Sequence, residues 1–151
     1  MRTASSSAGP AVRALHGAQA GLTATTAMTA ALVAVERLGG VHPSTPRLVT
    51  EEVVPGAEHA PGPLARGLTS LTHHAFGAAG GALFALVAPH LPGPRVVKGL
   101  GFAAVVMLVS YEGWVPALGI LPPQHEQPAP RALALAAGHA VYGVVLGLRA
   151  A

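Results

Sequence analysis

Cysteine is absent from this 151-residue chain. Disulfides, thiolate nucleophiles, CxxC zinc sites and iron–sulfur ligation are therefore excluded, although nothing follows about the redox compartment. Charge is scarce as well. Charged residues make up 10% of the chain, against about 25% in soluble domains. A soluble fold of this size covers its surface with charge, and this chain has too little to do so; lipid-facing surface accounts for the deficit. Its nine basic residues are scattered, with no Lys/Arg cluster interleaved with aromatics, so nucleic-acid binding finds no support. There is also no Ser/His/Asp order, phosphate loop or HExxH motif. Enzyme chemistry is thus not indicated, apart from a metal-assisted hydrolase in which Glu36 or Glu112 acts as base or ligand.

What is present is hydrophobicity, at 51% of the residues. Four segments are apolar enough to span the roughly 30 Å hydrocarbon core of a bilayer: about 14–36, 67–91, 96–112 and 131–149. The sequence predicts an all-α polytopic membrane protein of four transmembrane helices. Residues 1–13 read as a disordered polar tail. Pro-rich loops are expected over 38–66 and 113–130. Within the first loop, Thr45 followed by Pro46 reads as a helix start, and Leu48, Val49, Glu52 and Val53 give a short amphipathic helix at the membrane interface. A signal peptide is the rival reading of the first span, but the apolar run exceeds the usual h-region. Lys98 is placed to snorkel, and Tyr111 and Trp114 read as aromatic-belt anchors.

Two stretches share the pattern His-x-x-aromatic-Gly-x-x-x-Gly: His73 to Gly81, and His139 to Gly147. Positions i, i+4 and i+8 fall on one helix face, so Gly77 with Gly81, and Gly143 with Gly147, form smooth tracks for helix packing. Composition alone gives roughly one His in sixty this spacing, so two cases point to a repeat. The unit extends further. The first span ends in Leu32-Val33-Ala34-Val35-Glu36 and the third in Leu108-Val109-Ser110-Tyr111-Glu112. Each is followed by a loop and a His-bearing span. Two tandem two-helix units repeat in the same orientation, so their pseudo-twofold runs along the membrane normal. Gly17 and Gly21, a lone four-residue spacing in a Gly-rich chain, carry no weight beside these matches.

This topology sends Glu36, His73, Glu112 and His139 toward one side of the membrane, with His74, Tyr111 and Tyr142 close by. At about 1.5 Å per residue, His73 lies roughly 9 Å and His139 roughly 12 Å below their helix starts. Three uses remain open. The histidines and glutamates pair structurally and pin the helix register. Alternatively Glu36, His73, Glu112 and His139 hold a divalent metal, or two imidazoles ligate a haem beside the glycine tracks. A third use is proton or ion handling in a transport subunit. Below the histidines the stripes turn to Gly and aliphatic residues, which argues against a through-pathway. Glycine faces turned outward would favour a homo-oligomer. Basic residues divide five to four between the two sides, which places both termini in the cytoplasm under the positive-inside rule. Arg over Lys, with abundant Ala, Gly and Pro, suggests a bacterial origin.

The segment Tyr111-Glu112-Gly113-Trp114-Val115-Pro116-Ala117-Leu118-Gly119-Ile120 with Pro122-Pro123, the stretch His139-Ala140-Val141-Tyr142-Gly143, and the patch from His73 to Gly77 resemble small bacterial inner-membrane proteins of the YagU-like type. The likeness in layout covers roughly residues 14–149. It implies a polytopic inner-membrane protein and supplies neither a reaction nor a ligand.

Overall fold

The structure is a computed structural model and describes residues 9–37 and 45–150. Helices long and apolar enough to cross a membrane form four times: Pro10–Arg37, Gly62–His90, Arg95–Ala117 and Ala129–Ala150. All the described secondary structure is helical. The elements are α1 (Pro10–Arg37), α2 (Thr45–Val53), α3 (Gly62–Val87), α4 (Arg95–Leu108), the single turn α5 (Val115–Ala117) and α6 (Ala129–Ala150), with 3-10 turns at Ala57–His59, Ala88–His90 and Gln124–Glu126.

Three expected boundaries move outward, each for a local reason. α1 begins at Pro10, whose fixed φ suits a first helical position, and the Gly9 carbonyl accepts the first bond from the Arg13 N–H. Residues 10–13 are therefore helix rather than tail, while 1–8 lie outside the described residues. α3 begins at Gly62 with a proline in its first turn, so the loop expected over 38–66 is shorter at this end; its residues 38–44 lie outside the described ones. The third span continues past Glu112 through a π-helical turn, Val109–Trp114, into α5. Pro116 has no N–H and its ring crowds the carbonyl four residues back. Widening the preceding turn absorbs that conflict without ending the helix. The expected loop at 113–130 shrinks to 118–128.

Glycine decides which helices meet. α1 packs on α3, α6 on α4, and α1 on α6, giving the row α3–α1–α6–α4. In the first seam Gly17 and Gly21 lie against Gly77 and Gly81, so close that a β-carbon on any of the four would collide with backbone or the Thr25 side chain. In the second, Gly99 lies against Gly143 and Gly147 in the same manner. Without a hydrophobic drive between helices in lipid, such backbone contact is a main source of association. The discounted pair Gly17 and Gly21 is thus the partner of the track at Gly77 and Gly81, and both tracks are spent inside one chain.

A parallel twofold would require α4 to close on α3 as α1 closes on α6. α3 and α4 scarcely touch. They are bridged by two ring pairs, Phe84–Phe102 at 5.3 Å and Phe76–Trp114 at 5.7 Å between centroids. A seam is left between those pairs. The core holds Ala20, Ala24, Met28, Leu32, Phe84 and Leu146. Lys98 does not snorkel: its Nζ donates to the Ala88 carbonyl at 2.8 Å, closing the α3–α4 turn as cations do at helix C-termini.

Candidate functional site

The open seam leads into a cavity of about 490 Å³ in the α2-bearing half of the bundle. Its walls come from α1, α3, α4 and α6, and Thr45, Pro46 and Val49 of α2 cover its end. The sequence places α2 at the interface; in the fold Thr45 and Thr50 are buried, and Arg131 Nη2 donates to Thr45 Oγ1 at 3.2 Å. The helix is held down as a lid.

Four of the expected residues, His73, Tyr111, His139 and Tyr142, line this cavity from three different spans. Because α3 and α6 start earlier than expected, both imidazoles sit deeper, about 16 and 15 Å from their helix starts. His139 is buried and its Nδ1 is 2.9 Å from the Leu135 carbonyl. A carbonyl only accepts, so Nδ1 carries the proton and Nε2 of the neutral ring is left as an acceptor. The Tyr111 ring meets that imidazole edge-on at 5.8 Å. His73 has no hydrogen-bond partner among the described residues; the His74 ring stands edge-on to it at 6.1 Å. The π turn supplies the third polar wall. Ser110 and Tyr111 are both buried there, continuing the buried face of Gly99 and Ala103. Tyr111 is therefore buried rather than a belt anchor, and Trp114 stacks on Phe76 and faces the cavity.

The rest of the expected group is drawn elsewhere. Glu112 turns outward to the following loop, where its carboxylate accepts from the His125 backbone N–H at 3.1 Å and stands 2.7 Å from His125 Nδ1. His74 is used between helices: Nδ1 donates to the Ser70 carbonyl at 2.8 Å and Nε2 lies 3.3 Å from Thr26 Oγ1 on α1. Tyr142 stays on the cavity wall, where it reaches across from α6 and donates to the Gly77 carbonyl at 2.9 Å. Glu36 lines a second, more polar cavity of about 530 Å³, with Arg47, Arg66, His73 and His74. The metal set Glu36, His73, Glu112 and His139 is thus split. Among the described residues no three of His, Asp or Glu stand where they could hold a metal ion. The room expected beside the glycines for a haem is filled by the opposing helix backbones.

The Glu112–His125 contact is a loop clamp, and Gln127 adds a bond to the Pro122 carbonyl at 2.8 Å. Glu112→Ala is expected to speed amide exchange over residues 118–127 by about tenfold, by local opening. The melting temperature should stay nearly unchanged, because exposed pairs contribute little to global stability. Hydrogen-exchange mass spectrometry reads the first and a detergent melt the second; unchanged exchange in the loop removes the clamp.

Sequence reasoning missed the lid, the π turn, and Thr25, Thr45 and Ser110 as cavity polar groups. The Thr45-Pro46 start and Pro116 were the available signals. No curated protein and no solved structure matches the chain. Nothing ties it to the YagU-like proteins it resembles in layout. A family model does match, over residues 11–151, and on that span the chain belongs to DUF6789, a family of unknown function.

Proposed function

We propose that this protein is a multi-pass inner-membrane protein that binds a small neutral ligand in the cavity shared by His73 and His139. The observation that carries the reading is the character of that cavity: about 490 Å³, within the range of small-molecule sites, mostly apolar, with a few polar groups gathered toward one end. Among the described residues, no charged side chain lines it. A charged ligand would lose its hydration there without a compensating partner.

The two-hairpin layout, each hairpin zipped by its own glycine track, supports a tandem repeat whose second interface has opened to make the site. The five-to-four basic division favours cytoplasmic termini. Transport through the bundle is disfavoured by the Phe84–Phe102 pair, which closes the cavity toward the end bearing the termini.

Trp114 is the sole tryptophan and lines the cavity. Titration of the detergent-purified protein with 1-decanol should change its emission saturably, and Ala79→Phe, which sets a ring at the opening of the cavity on the α3 side, should abolish the change. A linear response that Ala79→Phe leaves intact means simple partition into the micelle and removes the proposed site.

A further inference from the structure

The cavity opens sideways. Phe76, Leu83, Val105 and Val109 both line it and are exposed on the bundle surface, at 52, 53, 58 and 59%. A residue that does both marks a mouth, and all four lie on the facing edges of α3 and the third span. The mouth is framed by the two ring pairs. Between them α3 runs about eight residues and the third span about twelve, so the window is about 12 Å tall on one edge and about 18 Å on the other. It lies at the depth of the hydrocarbon, because both edges belong to spans. Material therefore reaches the cavity from the bilayer rather than from water.

The chemistry inside narrows what that material is. His73 and His139 offer hydrogen-bonding nitrogens from two different helices. A ligand with hydroxyls on two opposite edges offers each imidazole its own donor and acceptor. His139 Nε2 accepts, so it calls for an O–H donor; His73, without a partner among the described residues, can give or take. The faces of Gly77 and Gly80 are already covered, by the Thr25 side chain and by the Tyr142 hydroxyl, so the ligand lies beside them. The uncharged lining rejects carboxylate and phosphate heads; Arg131, the nearest cation on the lid, is engaged with Thr45 and is not a lining group.

Resting on the ligand-binding reading above, we propose that the cavity takes a neutral prenylated quinol, drawn from the bilayer through the window between α3 and α4. The ring, with hydroxyls on opposite edges, sits between His73 and His139, one hydroxyl donating to His139 Nε2. The tail leaves through the seam past Val105 and Val109.

The test uses the full chain in mild detergent, with decyl-ubiquinone and its reduced form as probes and 1-decanol as the tail-matched control. Quinones quench indole emission, so Trp114 reads occupancy. The expected result is saturable quenching by the quinone, its displacement by the quinol with at least tenfold higher affinity, and quinol affinity at least tenfold above that for decanol. His73→Ala and His139→Gln should each weaken the quinol about tenfold, more than they weaken decanol. Should His139→Gln fail to fold, His73→Ala with the circular dichroism of both variants decides the matter. Equal affinities for quinol and decanol, indifferent to both histidines, overturn the quinol assignment while the neutral-ligand site stands. Absence of any saturable binding overturns both.

Discussion

Gly81→Ala is expected to destabilise the protein in detergent by about 2 kcal/mol, and Gly81→Leu to prevent assembly of a folded bundle, since overpacking costs typically about 1–3 kcal/mol and more when backbone must move. A β-carbon at Gly81 would stand 2.7 Å from the Gly21 backbone and nearer still to the Gly17 carbonyl. Neither neighbour is the flexible end of a side chain, so α1 and α3 have to separate along the whole seam. Gly101 gives the matched control. It lies on α4 with nothing within 4 Å of where its β-carbon would stand, and glycine is about 1 kcal/mol worse than alanine in a helix interior. Gly101→Ala should therefore be neutral or slightly stabilising. Both variants add one methyl to a helical glycine, so propensity cancels and the difference reports the seam. Thermal melts followed by helical circular dichroism read it. Equal melting temperatures for Gly81→Ala and Gly101→Ala would show that backbone contact at this seam does not hold the bundle.

That seam also shows what a sequence can and cannot say about such a protein. The tracks at Gly77 with Gly81 and Gly143 with Gly147 were legible because they repeat, and a repeat stands above a glycine-rich background. Their partners were not. A smooth face announces that something comes close; it does not name the helix that comes. Gly17 and Gly21 have the same spacing without a twin, and only the folded arrangement separates them from chance. The four spans were legible because apolar length is a property of each segment alone. Their order in the bundle depends on contacts between segments, and the expected twofold failed at the one interface, α3 with α4, that forms the cavity mouth.

The site divided along a similar line. His73 and His139 reach one cavity because both lie at matched depth on their spans, which spacing foretells. Glu112 does not join them. Its direction is set by the loop, where His125 offers both a backbone and a ring donor, and loop conformation leaves no periodic trace. Tyr111 reads as a belt residue because it stands where the apolar span runs out. The span instead continues through a π turn, and Tyr111 lies on its buried face with Gly99, Ala103 and Ser110, inside the site. His74 falls to the plain structural reading: Thr26 and Ser70 hold both its nitrogens.

Phe84→Ala carries the second large effect, because Phe84 is fully buried behind the Phe102 ring that floors the cavity. Phe→Ala in a core costs about 3–5 kcal/mol, part as lost transfer energy and part as the void left behind. In a bilayer the unfolded side chain rests in lipid as apolar as the core, so the transfer part fades and the lost contacts remain. A destabilisation of about 3 kcal/mol is therefore expected, at the lower end of that range. Phe76, the ring at the opposite end of the window, is 52% exposed, and Phe76→Ala should leave the stability within about 1 kcal/mol of the parent, as surface changes do. The two variants also separate in binding. Removing Phe84 frees Phe102 to drop, deepens the cavity toward the termini, and should let a small apolar solute such as benzene restore part of the lost stability by filling the void, as linkage requires of any ligand that binds only the folded state. Removing Phe76 widens the mouth and offers benzene no enclosed space, so no rescue is expected there. Rescue of both variants alike would mean that benzene acts through the micelle, and rescue of neither would mean that the bundle collapses around the missing ring instead of keeping a defined floor.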